Sequence, residues 1–278
     1  MKKFILISII CGAFPIFSTT VDKFNVELKK GIYYQKDSNT PFTGTVKSYF
    51  EADYLDKPEK DRRVESFGTF VKGRPEGIFK SYYENGKMQK EISYQNGFQE
   101  GVAKFYNENG RLKTESNYSK GKLHGISKNY YENGTLESEI NYKNGIQNGE
   151  MKFYYNNGQL HSKVKVKNGR KDGTVKTYYK NGTEQERLSY KNNALEGVSK
   201  WYYPNGSLKS EISYSNGKKN GEAKYYHSNG KLKSQVNWVY NSIIGGVKLY
   251  DENGEFQKEV KIDAKVLESQ QVDGESEE

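Results

Sequence analysis

From Val64 onward apolar and polar residues alternate with a period of two, in segments of six or seven residues. A representative stretch is Ile78-Phe79-Lys80-Ser81-Tyr82-Tyr83, then Asn85-Gly86, then Met88-Gln89-Lys90-Glu91-Ile92-Ser93-Tyr94. Alternation over that length predicts half-buried strands. Asn-Gly between two such segments predicts a hairpin, because a type I′ turn needs positive φ at both central positions. The tip glycine recurs at Gly86, Gly110, Gly134, Gly158, Gly182, Gly206, Gly230 and Gly254, each 24 residues after the last. A second series, Gly77 to Gly245, keeps the same period, and a third starting at Gly73 lapses to Asn193 and Asn241. Asn is the residue next most tolerant of positive φ, so the lapses fit a turn. The pattern predicts an all-β fold, an elongated single-layer antiparallel β-sheet of tandem 24-residue β-hairpin repeats stabilised by nearest neighbours. Residues 73–262 hold eight repeats. Residues 21–72 hold a degenerate unit from Gly44, interrupted by a charged loop at 51–63.

If the tip loop has two residues, Tyr83 faces Met88, Phe79 faces Ile92 and Lys80 faces Glu91. A three-residue loop with a bulge would shift that register. In the two-residue register Phe79, Tyr83, Met88, Ile92 and Tyr94 share an apolar face. The opposite face carries the candidate binding residues: Lys80, Lys104, Lys128, Lys152, Lys176, Lys200, Lys224 and Lys248, flanked by Tyr82, Tyr106, Tyr130, Tyr154, Tyr178, Tyr202, Tyr226 and Tyr250. Glu91, Glu115, Glu139, Glu211 and Glu259 fall opposite their lysines, each such pair contributing about 0.2–1 kcal/mol. Lys163 and Arg187 stand in that carboxylate position in the fourth and fifth units, so the middle of the array is expected to be the most positive.

Composition narrows the class. Only 33% of residues are hydrophobic and the mean hydropathy is −0.98, too polar for one large two-layer core, while 14% aromatic residues do not fit a disordered chain. Residues 1–20 differ: Lys2-Lys3, then an apolar run from Phe4 to Phe17, then Ser18-Thr19-Thr20, the order of a secretory signal. Export to the periplasm, the cell surface or the medium is expected. Lipid attachment at Cys11 is disfavoured by Ile10, which stands where such signals carry a small residue. Cys11 is the only cysteine, so a cleaved chain has no thiol chemistry. Residues 263–278 hold six acids against Lys265 and read as an acidic, disordered tail. With +2 in the signal and −5 in the tail, the formal +9 of the chain leaves +12 on residues 21–262.

The Tyr-Tyr-x-Asn-Gly turn, the Leu or Met after it (Leu112, Leu136, Leu160, Leu208, Leu232) and the Asn-Gly-x-x-x-Gly connection resemble the MORN-repeat variant family across residues 73–262. The resemblance implies a bacterial β-hairpin array, a type often carrying an antitoxin label from toxin–antitoxin systems. Related eukaryotic MORN repeats serve as membrane-associated or protein-binding scaffolds. No agreed enzymatic activity comes with it, and the chain lacks the Gly-rich phosphate loop and the H-R-D and D-F-G elements of a kinase.

Catalytic patterns do not emerge either. His124, His161 and His227 occupy different repeat positions, no H-E-x-x-H is present, and the serines follow no G-x-S-x-G elbow. No cofactor or metal is expected. The reading is an exported non-enzymatic scaffold that binds a protein or glycan partner through the tyrosine- and lysine-rich face, tyrosine offering contact area at low entropic cost. Peripheral binding to anionic phospholipid and an antitoxin role are the alternatives. Nucleic acid is disfavoured by the export signal, and self-association through edge strands is open to the array.

Overall fold

The computed structural model describes residues 19–261, so the apolar leader up to Ser18 and the acidic tail lie outside the described residues. The chain forms an antiparallel all-β fold of successive hairpins in two compact units: residues up to Gly101 with Glu108–Gly110, and Val102–Asn107 with everything from Arg111.

In the first unit, strands Gly44–Tyr49, Val64–Val71, Arg74–Tyr82 and Met88–Gln95 pair in order. Thr20–Asp22 adds a short parallel strand, Thr20 opposite Thr45, which covers the backbone edge of the first hairpin. A separate hairpin, Val26–Lys29 and Ile32–Gln35, packs on the inner face of the sheet. Its anchor is a close backbone approach: Tyr33 N donates to Gly73 O at 2.9 Å, and a Cβ on Gly73 would come within 2.4 Å of Tyr33 O. Only glycine fits there.

The segment read as a charged loop at 51–63 contains a short helix, Glu51–Asp56, and a 3-10 turn, Glu59–Asp61. The reason is a buried carboxylate. Asp53, 2% exposed, accepts from Arg63 N at 2.7 Å, Arg63 Nε at 3.0 Å and Arg63 Nη2 at 3.1 Å, and pairs with Lys57 at 3.2 Å. Those hydrogen bonds from Arg63 hold the Asp53 carboxyl well below the usual carboxylate range.

The hairpin tips differ from the type I′ expectation. Tyr83 N donates to Lys87 O at 2.8 Å and Gly86 N to Tyr83 O at 2.9 Å, with Gly86 at φ +80° and Asn85 at negative φ. This is the three-residue loop, a β-turn followed by one left-handed residue. It pairs Tyr82, not Tyr83, with Met88, which corrects the expected Tyr83–Met88 pair. A bulge follows at once: Ser81 pairs with Lys90, leaving Gln89 as the extra residue. The bulge cancels the shift, so Phe79 faces Ile92 and Lys80 faces Glu91 after all. The same step recurs in the later hairpins, as at Trp201 and Tyr202.

Type I′ geometry does occur, at the opposite ends of the strands. Asn96 at φ +52° precedes Gly97 at +88°, and in the lapsed units Asn192 and Asn193 take +51° and +72°. The tip asparagines do something else: Asn85 Oδ1 accepts from Lys87 N at 3.0 Å while its Nδ2 donates to Glu108 O at 2.9 Å. Asn133, Asn181, Asn205 and Asn229 make the equivalent bond to the carbonyl 23 residues on. Each of these five tips is thereby tied to the next, whereas Asn157 Nδ2 donates locally to Gln159 Oε1 at 2.9 Å.

The second unit continues hairpin on hairpin from Leu112–Ser119 to Phe256–Lys261. Its apolar residues gather on one face in two clusters: Met151, Val164, Val166 and Val175 against Phe153, Leu188 and Tyr190, and Ile212, Ala223 and Val236 against Trp201, Tyr214 and Tyr225. Small residues let rings of neighbouring strands fold over them, which leaves Ser199 and Ala223 at 0% exposure in a single layer. Burial comes from neighbour on neighbour, as the low aliphatic content requires.

Candidate binding faces

On the outer face of each unit the lysine positions of successive strands fall into a cross-strand row. In the first unit Lys80 stands opposite Phe67 on one side and Glu91 on the other. In the second unit the row runs Glu115, Lys128, Glu139, Lys152, Lys163, Lys176, Arg187, Lys200, Glu211, Lys224, Gln235, Lys248, Glu259. Elsewhere charge alternates or is relieved by a neutral residue. Between Glu139 and Glu211, five basic residues follow one another on five adjacent strands.

Four lysines pair with glutamates of the repeat pattern: Lys80 reaches Glu91 at 3.2 Å, Lys104 reaches Glu115 at 3.8 Å, Lys128 reaches Glu139 at 3.9 Å and, at the end of the basic run, Lys200 reaches Glu211 at 2.6 Å. Lys224 turns to Glu222 instead, at 2.6 Å. Within the basic run relief comes from the pattern glutamates at its two ends and from carboxylates that the pattern does not provide. Lys152 leans to Glu139 at 3.7 Å and to Glu150 at 3.8 Å. Glu184 stands where Leu112, Leu136, Leu160, Leu208 and Leu232 stand in other repeats, and it draws in Lys176 at 3.2 Å and Arg187 Nε at 2.7 Å. Burial raises the Glu184 carboxyl, but the hydrogen bonds from Arg187 and Lys176 outweigh it and hold it below its ordinary value. Lys163 lies between Lys152 and Lys176, and no ion pair forms on it among the described residues.

The tyrosines of the predicted face divide. Tyr154 donates to Glu139 at 3.2 Å, and burial with that carboxylate raises its phenol. Tyr250 donates to Gln235 at 3.4 Å, and Tyr82 stacks on Phe67 with ring centroids 6.4 Å apart. Tyr178 and Tyr202 stand two residues from Lys176 and Lys200, beside the basic run. Tyr106, Tyr130 and Tyr226 keep the same offset from their lysines. The neighbouring series is structural: Tyr131, Tyr155, Tyr179 and Tyr203 each donate their hydroxyl to the backbone carbonyl 23 residues on, at 2.6–2.9 Å. The expectation gave that series no separate role, since the bond crosses from one repeat to the next.

The inner face holds a site that the pattern did not indicate. In the first unit Ser48, Ser66 and Ser81 stand in register on three adjacent strands. In the second unit the corresponding row runs Thr114, Asn129, Ser138, Phe153, Ser162, Thr177, Glu186, Trp201, Ser210, Tyr225, Ser234, with large rings at Phe153, Trp201 and Tyr225. Three serines in succession leave a trough of about 620 Å³, bounded above by the Val26–Gln35 hairpin. Among the described residues no group of three His, Cys, Asp or Glu is placed to hold a metal ion, and no helix is long and apolar enough to cross a membrane.

Hairpins stacked in register, tied by tip asparagines and tyrosines, with a charged row on one face, define a tandem β-hairpin repeat scaffold. The chain belongs to the MORN repeat variant family, whose model matches residues 75–96, 99–120, 123–144, 147–168, 171–192, 195–216 and 219–240. The hairpin Ser242–Lys261 follows the last matched segment. No curated protein matches the chain. Repeats of this family are generally scaffolds, often involved in binding, and their all-β fold is typically non-enzymatic.

Proposed function

We propose that the chain is an exported, non-enzymatic scaffold whose outer face binds an acidic protein segment through Lys152, Lys163, Lys176, Arg187 and Lys200, with Tyr154, Tyr178 and Tyr202 alongside. The observation that carries this is the uninterrupted basic run. Like charges directly opposite on paired strands are destabilising, and at about 4.8 Å in water each such pair costs close to 1 kcal/mol. A purely structural row would alternate, as Glu115, Lys128 and Glu139 do before the run, or set a neutral residue between like charges, as Gln235 does after it. The acidic face of a helix, with carboxylates three or four residues apart at about 5–6 Å, comes close to the strand spacing of the run. Export rests on the Lys2-Lys3 leader and the apolar run to Phe17.

The test is fluorescence anisotropy of a labelled helical peptide with glutamates four residues apart, titrated with the full mature chain. Binding at low salt that weakens steeply as salt rises, and falls about tenfold or more with Lys163→Glu, supports the reading. Absence of binding at low salt, or binding indifferent to Lys163→Glu, overturns it. Equal or tighter partitioning onto phosphatidylserine vesicles transfers the face to the membrane alternative. The N-terminus of the native product tests export: a start near Thr19 supports it, and a full-length cytosolic chain overturns it and moves the antitoxin alternative forward.

A further inference from the structure

We infer that the serine-floored trough on the inner face of the first unit is a binding site for a saccharide unit. It shares no residue with the basic run and stands independently of the reading above. Its volume of about 620 Å³ falls within the roughly 300–1,000 Å³ of ligand pockets. One wall is a chain of four rings in contact: Tyr33 to Phe70 at 4.6 Å, Phe70 to Phe79 at 5.2 Å and Phe79 to Tyr94 at 4.8 Å. Phe79 can lie flat because Gly68, directly beneath it, has no Cβ; one added there would sit 2.1 Å from the ring.

The polar groups are set by the bulges. Glu65 and Gln89 are the extra residues of two successive hairpins, 24 positions apart, and the bulge turns both side chains into the trough. Each is fixed from below by a buried serine: Ser48 Oγ donates to Glu65 Oε2 at 2.5 Å, and Ser81 Oγ to Gln89 Oε1 at 2.9 Å. That leaves Glu65 Oε1 to accept and the Gln89 Nε2 hydrogens to donate, with Lys23 Nζ 3.9 Å from Glu65 Oε2 balancing its charge. A planar acceptor and a planar donor beside an aromatic wall match a ligand with hydroxyls around its rim and C–H groups on its face. A phosphate or an acidic peptide would meet the Glu65 carboxylate. A purely apolar ligand would leave the Gln89 and Glu65 groups without partners, at a cost.

The later repeats supply the decisive variant. Phe153, Trp201 and Tyr225 occupy the row position of Ser81, so Ser81→Phe fills the trough as the protein itself does elsewhere. Gln89→Lys likewise installs the residue found at Lys113, Lys209 and Lys233. The full mature chain is applied to a printed array of neutral and acidic oligosaccharides, and the captured sugars are titrated by calorimetry. The expected result is capture of one or more neutral saccharides, weakened about tenfold or more by Ser81→Phe and by Gln89→Lys, and unchanged by Lys163→Glu. Capture of nothing, or capture indifferent to Gln89→Lys, overturns the assignment. If Ser81→Phe fails to fold by circular dichroism, Gln89→Lys decides alone. Loss with Lys163→Glu instead assigns the sugar to the outer row and overturns the trough.

Discussion

The first two hairpins and those of the second unit share the same compensating bulge, and the tip at Asn85-Gly86 repeats the three-residue loop of the second unit, while the first hairpin closes through the helical insertion at 51–63. They differ also in one inner row. Where the second unit sets Phe153 between Ser138 and Ser162, Trp201 between Glu186 and Ser210, and Tyr225 between Ser210 and Ser234, the first unit sets serine beside serine. In the second unit rings of the sheet itself fill this row, whereas in the first unit the Val26–Gln35 hairpin packs over it and bounds the trough, so side-chain size at this position sets how far a repeat is closed. The scaffold is uniform, and its recesses are written by side-chain size at a fixed register position.

The largest effect should come from turning a packed repeat into an open one. Trp201 packs on the Ile212, Ala223 and Val236 cluster and donates from Nε1 to Glu186 at 3.1 Å. Trp201→Ser empties the row between Glu186 and Ser210 and should cost about 3 kcal/mol, the low end for losing a large aromatic because Trp201 is only half-buried. Chemical denaturation with tryptophan emission from Trp238 would measure it. The reverse change, Ser81→Phe, should cost little or stabilise. If the two variants lose comparable stability, the inner row does not distinguish the regions.

Next in size is overfilling a repeat that is already closed. Ala223 has 0% exposure between its cross-strand neighbours Ile212 and Val236. Ala223→Leu adds volume with nowhere to go and should cost about 2 kcal/mol, read by the same denaturation. A neutral result would mean that the cluster opens as readily as the trough.

The link between neighbouring repeats should be smaller again. Asn205 Oδ1 accepts from Ser207 N at 3.0 Å and its Nδ2 donates to Ser228 O at 3.0 Å. Asn205→Ala removes both and should cost about 1 kcal/mol. Asn205→Asp keeps the local acceptor but loses the donor to the next repeat, so an aspartate variant as stable as the parent would show that the local bond alone matters.

These contrasts also mark what was legible in the sequence. The 24-residue step, the strands, and the pairing of Lys80 with Glu91 follow from periodicity and alternation. The tip did not follow, because Asn-Gly serves two loops equally well: in one both residues take positive φ, in the other only Gly86 does and Asn85 is free to bond the next repeat. The pairing nevertheless came out as expected because the bulge at Gln89 cancels the shift of the longer loop. That cancellation leaves the hydrophobic alternation on either side intact, so no residue pattern reports it. The middle of the outer row was legible, since Lys163 and Arg187 replace glutamates at a known register. The part played by Glu184 was not, because its reach to Lys176 and Arg187 depends on side-chain direction beside the bulge. The trough was hidden for a similar reason. Ser48 lies before the insertion and Ser81 after it, and the short helix held by Asp53 breaks the step that would have aligned them.

The smallest change tests whether the basic run is retained against stability. Lys163 faces Lys152 on one strand and Lys176 on the other, two like-charge contacts worth up to about 1 kcal/mol each before solvent and salt screen them. Lys163→Glu installs the residue that Glu139 and Glu211 supply one and two units away, turning both contacts into opposite-charge pairs. Thermal unfolding at low salt should rise by about 2–4 °C, corresponding to roughly 1 kcal/mol for a chain of this size, and the gain should shrink as salt increases. The same variant is the one expected to lose the acidic peptide. A gain in stability together with a loss of binding identifies a surface kept for its partner at the expense of the fold. A loss of stability would show instead that Lys163 already has a structural partner on the sheet, and the basic run would then belong to the scaffold alone.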